Sequence, residues 1–248
     1  MQNRRWTIDF IKSKRSVFFL FACAPILATA LTVPDTLGQR LKPCTSCHGK
    51  DGRAASDGYY PRIAGKPEGY LYNQLKNFRE GKRTYPLMTY MVANMSDEYL
   101  HEIAHYFSQQ HPPYSAPQSV EIAPAILQRG RALVQQGDLA LKIPACVACH
   151  GEKMTGVAPF IPGLLGLPRD YIVAQLGAWQ TGSRHANAPD CMEQIARKLQ
   201  PQDVYAISSW LAAQNMPVNA LPIDAKDITN FKMPFSCGSA PQREARPR

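Results

Sequence analysis

Two five-residue motifs constrain this chain more than anything else in it. They are Cys44-Thr45-Ser46-Cys47-His48 and Cys146-Val147-Ala148-Cys149-His150. Each reads C-x-x-C-H, the attachment signal for a c-type haem. Two thiols at that spacing can each form a thioether bond to one haem vinyl group, and the histidine that follows is then held against the iron. One copy alone could be coincidence, a zinc half-site or a redox dithiol. Two copies inside one larger pattern set those readings aside. The expectation is a chain that folds twice around a haem and carries electrons.

The larger pattern is an internal repeat with an offset of about a hundred residues. Pro61-Arg62-Ile63-Ala64-Gly65 is matched by Pro162-Gly163-Leu164-Leu165-Gly166, and Tyr70-Leu71-Tyr72-Asn73-Gln74-Leu75 by Tyr171-Ile172-Val173-Ala174-Gln175-Leu176. Gly81-Lys82-Arg83 corresponds to Gly182-Ser183-Arg184, and Met88 to Met192. The spacing of apolar residues predicts helices over 68–80, 96–110, 123–137, 169–180 and 201–214, with Ser96 capping the second of these. Leu100, Ile103 and Phe107 form the apolar face of one helix, and Val204, Ile207 and Leu211 that of another. No strand pattern stands out. The expected fold is all-α, two tandem domains of one duplicated type at 31–111 and 121–214. Between them, 112–120 is proline-rich and cannot continue a helix. Residues 215–248 lack helical periodicity and read as an irregular extension over the surface.

Residues 1–30 have the layout of an export signal. Five basic side chains precede an apolar run from Val17 to Leu27, followed by Ala28-Thr29-Ala30 as a cleavage site. If uncleaved, the apolar stretch reaches about 17 residues, the lower limit for a spanning anchor. A cleaved signal peptide is the preferred reading. Export places the chain in the periplasm, soluble or loosely associated with the membrane. The formal charge of +9 also belongs partly to this leader. Removing its five basic residues and one acid leaves 23 cations against 18 anions, a balance of +5. There is no dense basic run, so nucleic acid is not an expected partner.

Each iron needs a sixth ligand. Methionine sulfur is soft and raises the potential of the iron it binds. In the second half the candidate is Met192. In the first half Met88 holds the matching place, with Met91 and Met95 as competitors. Met154, Met216 and Met233 lack a repeat partner in the right place and are read as packing residues.

The sequence resembles the dihaem class I cytochromes c of the cytochrome c4 type. The resemblance covers nearly all of 35–214 and rests on C-x-x-C-H-G, Tyr60-Pro61-Arg62-Ile63-Ala64-Gly65, Tyr-Leu-x-x-Gln-Leu, Gly-Lys-Arg and a methionine followed by a Ser-Asp-Glu helix start. It implies two covalently attached haem c groups, on Cys44 and Cys47 and on Cys146 and Cys149. The axial pairs it implies are His48 with Met88 and His150 with Met192. It implies that the carbonyls of Pro61 and Pro162 accept from the histidine rings, that Ile63 and Leu164 pack on the haem faces, and that Gly38 meets Tyr106 and Gly130 meets Trp210 where helices cross. The function it implies is respiratory electron relay. The donor would be a quinol-oxidising complex or a periplasmic dehydrogenase, and the acceptor a terminal haem–copper oxidase. A rival reading is a redox enzyme or its haem subunit, for thiosulfate or sulfide oxidation or as part of a periplasmic dehydrogenase.

Cys191 and Cys237 fall outside the family pattern. In an oxidising compartment two spare thiols can pair, which would fasten the extension beside Met192. Two free thiols, or Cys191 as an iron ligand, are the alternatives. Among the arginines, Arg62 is the leading candidate to neutralise a haem propionate. His101-Glu102-Ile103-Ala104-His105 reads H-E-x-x-H, a zinc protease signature, but the opposite face of that helix is the apolar one, so the histidines are expected in solvent.

Overall fold

The computed structural model describes residues 33–54, 59–118 and 121–241. The expected leader, 1–30, lies outside the described residues. From Thr36 onward the chain packs as one unit built of two similar helical halves.

The first half opens with two short helices, α1 (Leu37–Arg40) and α2 (Lys42–His48). α2 carries the first haem motif and ends at Gly49, whose φ of 74° suits a residue without a Cβ. Then come α3 (Glu68–Arg79), α4 (Pro86–Val92) and α5 (Asp97–Ser108). Ser96 caps α5 by accepting from Tyr99 N, and Leu100, Ile103, Ala104 and Phe107 form its buried face. The apolar stripe recurs every three to four residues, as a helix laid on a core requires.

The second half repeats the plan with α6 (Pro124–Gln135), α7 (Val147–His150), α8 (Arg169–Thr181), α9 (Cys191–Ala196) and α10 (Pro201–Ala212). α6 and α10 cross at Gly130. A Cβ there would lie 2.1 Å from the Ala206 carbonyl oxygen and 2.9 Å from Trp210 Cβ, so only glycine allows this approach. At the matching crossing in the first half, a Cβ on Gly38 would meet only the Tyr106 hydroxyl, at 3.4 Å.

Two features depart from the expectations. Short strands do occur. β1 (Gly156–Ala158) pairs antiparallel with β2 (Ile161–Pro162) and parallel with β3 (Ile223–Asp224), in the order β2-β1-β3. They are two or three residues long, too short for an alternating pattern to register. The extension is also more than a surface wrap. β3 belongs to it, and Met233, Cys237 and Ala240 are buried in a cluster with Val157 and Ile161. Its side chains pack without helical period, which is why periodicity did not reveal them.

Candidate haem sites

A cavity of about 920 Å³ runs through both halves. Both C-x-x-C-H histidines line it, as do Cys44, Cys47, Cys146 and Cys149, none of which forms a disulfide. Met88, Met91 and Met95 line it on the first side and Met192 on the second. Ile63 and Leu164 contribute to its walls.

Each histidine is buried and aimed. His48 Nδ1 donates to the Pro61 carbonyl at 2.8 Å, and His150 Nδ1 to the Pro162 carbonyl at 2.7 Å. A carbonyl can only accept, so Nδ1 carries the proton and Nε2 keeps its lone pair. That is the tautomer an iron ligand needs. Burial pushes both imidazoles below the ordinary histidine pKa, against the pull of the prolyl hydrogen bonds. Arg83 adds to the lowering at His48, and Lys66 at His150. Both rings are therefore neutral near neutral pH. Burial also raises the Cys44 and Cys149 thiols, and raises Cys146 to about 12.

Met88 and Met91 sit on the short helix α4 and Met192 on α9, while Met95 follows α4; periodicity did not mark these helices because six or seven residues hold barely two turns. α4 begins with Pro86 at its first position. α9 is capped by Asp190, whose Oδ1 accepts from Met192 N and Glu193 N, both at 3.1 Å. The other oxygen accepts from Ala186 N at 2.7 Å and from Trp179 Nε1 at 3.2 Å. Asp190 thus fixes the backbone that presents Met192, a role visible in the sequence only as an acid before a short apolar run. Beside it, Cys191 and Cys237 are joined by a disulfide.

Arg62 lines the cavity and is also tied to backbone. Its Nε donates to the Ala64 carbonyl, its Nη atoms donate to the Pro112 and Pro113 carbonyls, and its guanidinium lies 3.8 Å from the centroid of Tyr114. It holds the proline-rich connection against the first half. Other cations occupy the junction between the halves. Arg83 donates to Gln74 Oε1, Gln175 Oε1 and the Tyr171 hydroxyl, and Arg184 donates to the same two glutamines. Lys66 is buried and donates to the Gly163 carbonyl at 2.9 Å. Among the described residues none of these three forms an ion pair with a carboxylate. Burial lowers Lys66 to about 7 and Arg184 to about 10. Sequence reasoning passed over Lys66, although the repeat places Leu167 at the matching position.

His101 and His105 are exposed and engaged separately. His101 stacks on Tyr72 with centroids 3.6 Å apart, and His105 Nδ1 lies 2.9 Å from Glu68 Oε2. They do not converge as a zinc pair.

The donor set fits two haems: neutral imidazoles with a free Nε2, methionine sulfurs and thiol pairs on the same cavity, and buried cations without carboxylates. Comparison with known proteins agrees. The chain is 37% identical over 172 residues to cytochrome c4 of Pseudomonas aeruginosa, covering 68% of this chain and 82% of that one. The chain belongs to the cytochrome c4 family. It is also 37% identical over 172 residues to the thiosulfate dehydrogenase electron acceptor of Thiomonas intermedia, covering 69% of this chain and 78% of the relative. The crystal structure of reduced recombinant cytochrome c4 from Pseudomonas stutzeri superposes with a TM-score of 0.61 at 31% identity, covering 71% of this chain and 96% of that one. No protein-family model matches. As a member of the cytochrome c4 family the protein has tandem class I cytochrome c domains and two covalently bound haem c groups. It is an electron carrier that works with redox partner proteins. Among the described residues no helix is long and apolar enough to cross a membrane.

Proposed function

We propose that the chain relays single electrons in the periplasm from a dehydrogenase to a terminal oxidase, with 31–111 and 121–214 as the two haem domains. The first haem is bound to Cys44 and Cys47 and ligated by His48 and Met88. The second is bound to Cys146 and Cys149 and ligated by His150 and Met192. The observation that carries this reading is the matched pair of histidines, each locked by a prolyl carbonyl.

Each haem iron supplies one-electron ferric–ferrous chemistry. The chain's residues make that change easy. Pro61 and Pro162 hold the imidazoles in one orientation, which limits rearrangement between oxidation states. The capped α9 does the same for Met192. Met91 also faces the cavity. The register of the repeat favours Met88. Arg62, Lys66, Arg83 and Arg184 all line the cavity and would supply positive charge to haem propionates there.

The donor we assign is a thiosulfate-oxidising dehydrogenase. Support comes from the Thiomonas intermedia relative, named as the electron acceptor of such an enzyme. The oxidised holoprotein should show two haems per chain and a far-red methionine-to-iron band of matching intensity. A band worth one haem or none overturns the ligand assignment. Thiosulfate alone should leave the ferric protein oxidised, whereas thiosulfate with its dehydrogenase should reduce it. Reduction by thiosulfate alone would replace the carrier with the enzyme reading.

A further inference from the structure

The two haem sites differ at one edge. In the second half the extension closes over the side that carries Cys149. Met233 and Cys237 pack there, and both also line the cavity. The closure is fastened at several points. Cys237 is bonded to Cys191, Gly238 N donates to the Pro189 carbonyl at 3.0 Å, and Ser239 accepts from both Asn187 N and Asn73 Nδ2. Gly238 lies so close to the backbone that a Cβ would come 2.2 Å from the Ala188 carbonyl oxygen.

Nothing comparable covers the first site among the described residues. Leu87 precedes Met88 as Cys191 precedes Met192, yet Leu87 is 45% exposed and lines the same cavity. Tyr59 also lines the cavity, is 62% exposed, and accepts a 2.8 Å hydrogen bond from Tyr85. The chain that follows this half is held at Arg62 through the Pro112 and Pro113 carbonyls, away from Leu87 and Tyr59 in sequence, and sends no segment comparable to the extension over them among the described residues. From there it passes to the second half, Tyr114 lying between Arg62 and Gly166.

We propose that residues 223–240 are a built-in cap on the second haem, so that electrons enter and leave the protein through the first haem, at the Leu87 edge. This rests on the haem assignment above. The ferrous first haem gives one electron to an outside one-electron acceptor and becomes ferric. The ferrous second haem would then pass one electron to the ferric first haem, which becomes ferrous again as the second becomes ferric. No bond forms or breaks. The second site acts as a store behind a single port.

The test uses full-length holoprotein shown to hold two haems with methionine bands. Loss of either property would count against the haem assignment and not against the cap. In the ferric protein, a redox-inert chromium(III) complex should broaden the proton resonances of one haem's methyl groups. In Cys191→Ser/Cys237→Ser carrying Met233→Asp it should broaden those of both. Equal broadening of both haems in the native protein overturns the proposal. Kinetics provide a second reading that leaves the cap intact. Leu87→Lys should slow oxidation of the ferrous protein by tris(phenanthroline)cobalt(III) roughly threefold at low ionic strength, through charge repulsion. The slowing should cover the whole amplitude. If half the amplitude keeps its native rate, the second haem has its own port and the cap is excluded.

Discussion

Lys66 in the first half is hydrogen-bonded to the Gly163 carbonyl in the second, across 97 positions of sequence. Gly163 follows Pro162, whose carbonyl holds His150. One half therefore supports the segment that orients the other half's proximal ligand, and brings a cationic side chain close to it.

That placement has an electrostatic consequence. Lys66 titrates at about 7, and below that pH its ammonium disfavours the ferric state, which carries the extra positive charge. Lys66→Met removes it and should lower the potential of the second haem at about pH 6 by roughly tens of millivolts, with a smaller change at the first, and the shift should shrink above about pH 7. A spectroscopic redox titration resolving the two haems checks this. Equal shifts at both haems would contradict it.

The two helix crossings should respond differently to the same substitution. Gly130→Ala drives a Cβ into the Ala206 carbonyl and should destabilise the holoprotein by about 1–3 kcal/mol. Gly38→Ala meets only the end of Tyr106 and gains helix propensity, so stability should hold or rise by up to about 1 kcal/mol. Denaturant unfolding of both variants decides the matter.

Asp97 gives a pH signature. Arg79 is the chief cause that holds its carboxyl at about 2 against an ordinary value of 3.8, with Lys76 and Tyr72 assisting. A depressed carboxyl contributes stability that is complete above 3.8 and is lost as pH falls through about 2. The melting-temperature difference between the native protein and Asp97→Asn should be constant above about pH 5 and vanish near the lower limit. The Asp97 side chain is 45% exposed, so added salt should shrink that difference wherever it exists.

Much of this architecture was legible in the residues. The thiol pairs, the histidines and the repeat are local patterns, and the long helices announce themselves through apolar spacing. What stayed hidden depends on contacts between distant segments. Arg62 has the chemistry to meet a propionate, yet its partners are the Pro112 and Pro113 carbonyls, some fifty positions away. The extension looked irregular because its buried side chains follow the shape of the second site and no repeating period. Lys66 left one trace, a lysine where the repeat has leucine.

The junction of the two halves has a further meaning. Arg83 reaches Gln74 in its own half and Gln175 in the other, and Arg184 reaches the same two glutamines from the opposite side. Their backbones pair antiparallel at those very residues. Such reciprocity is the mark of an isologous contact, the kind that joins identical subunits in a homodimer. Here the mirror is held within one polypeptide, which frees its sides to diverge. A true homodimer would have to carry the Cys191–Cys237 clasp on both subunits or on neither, whereas this chain carries it on one.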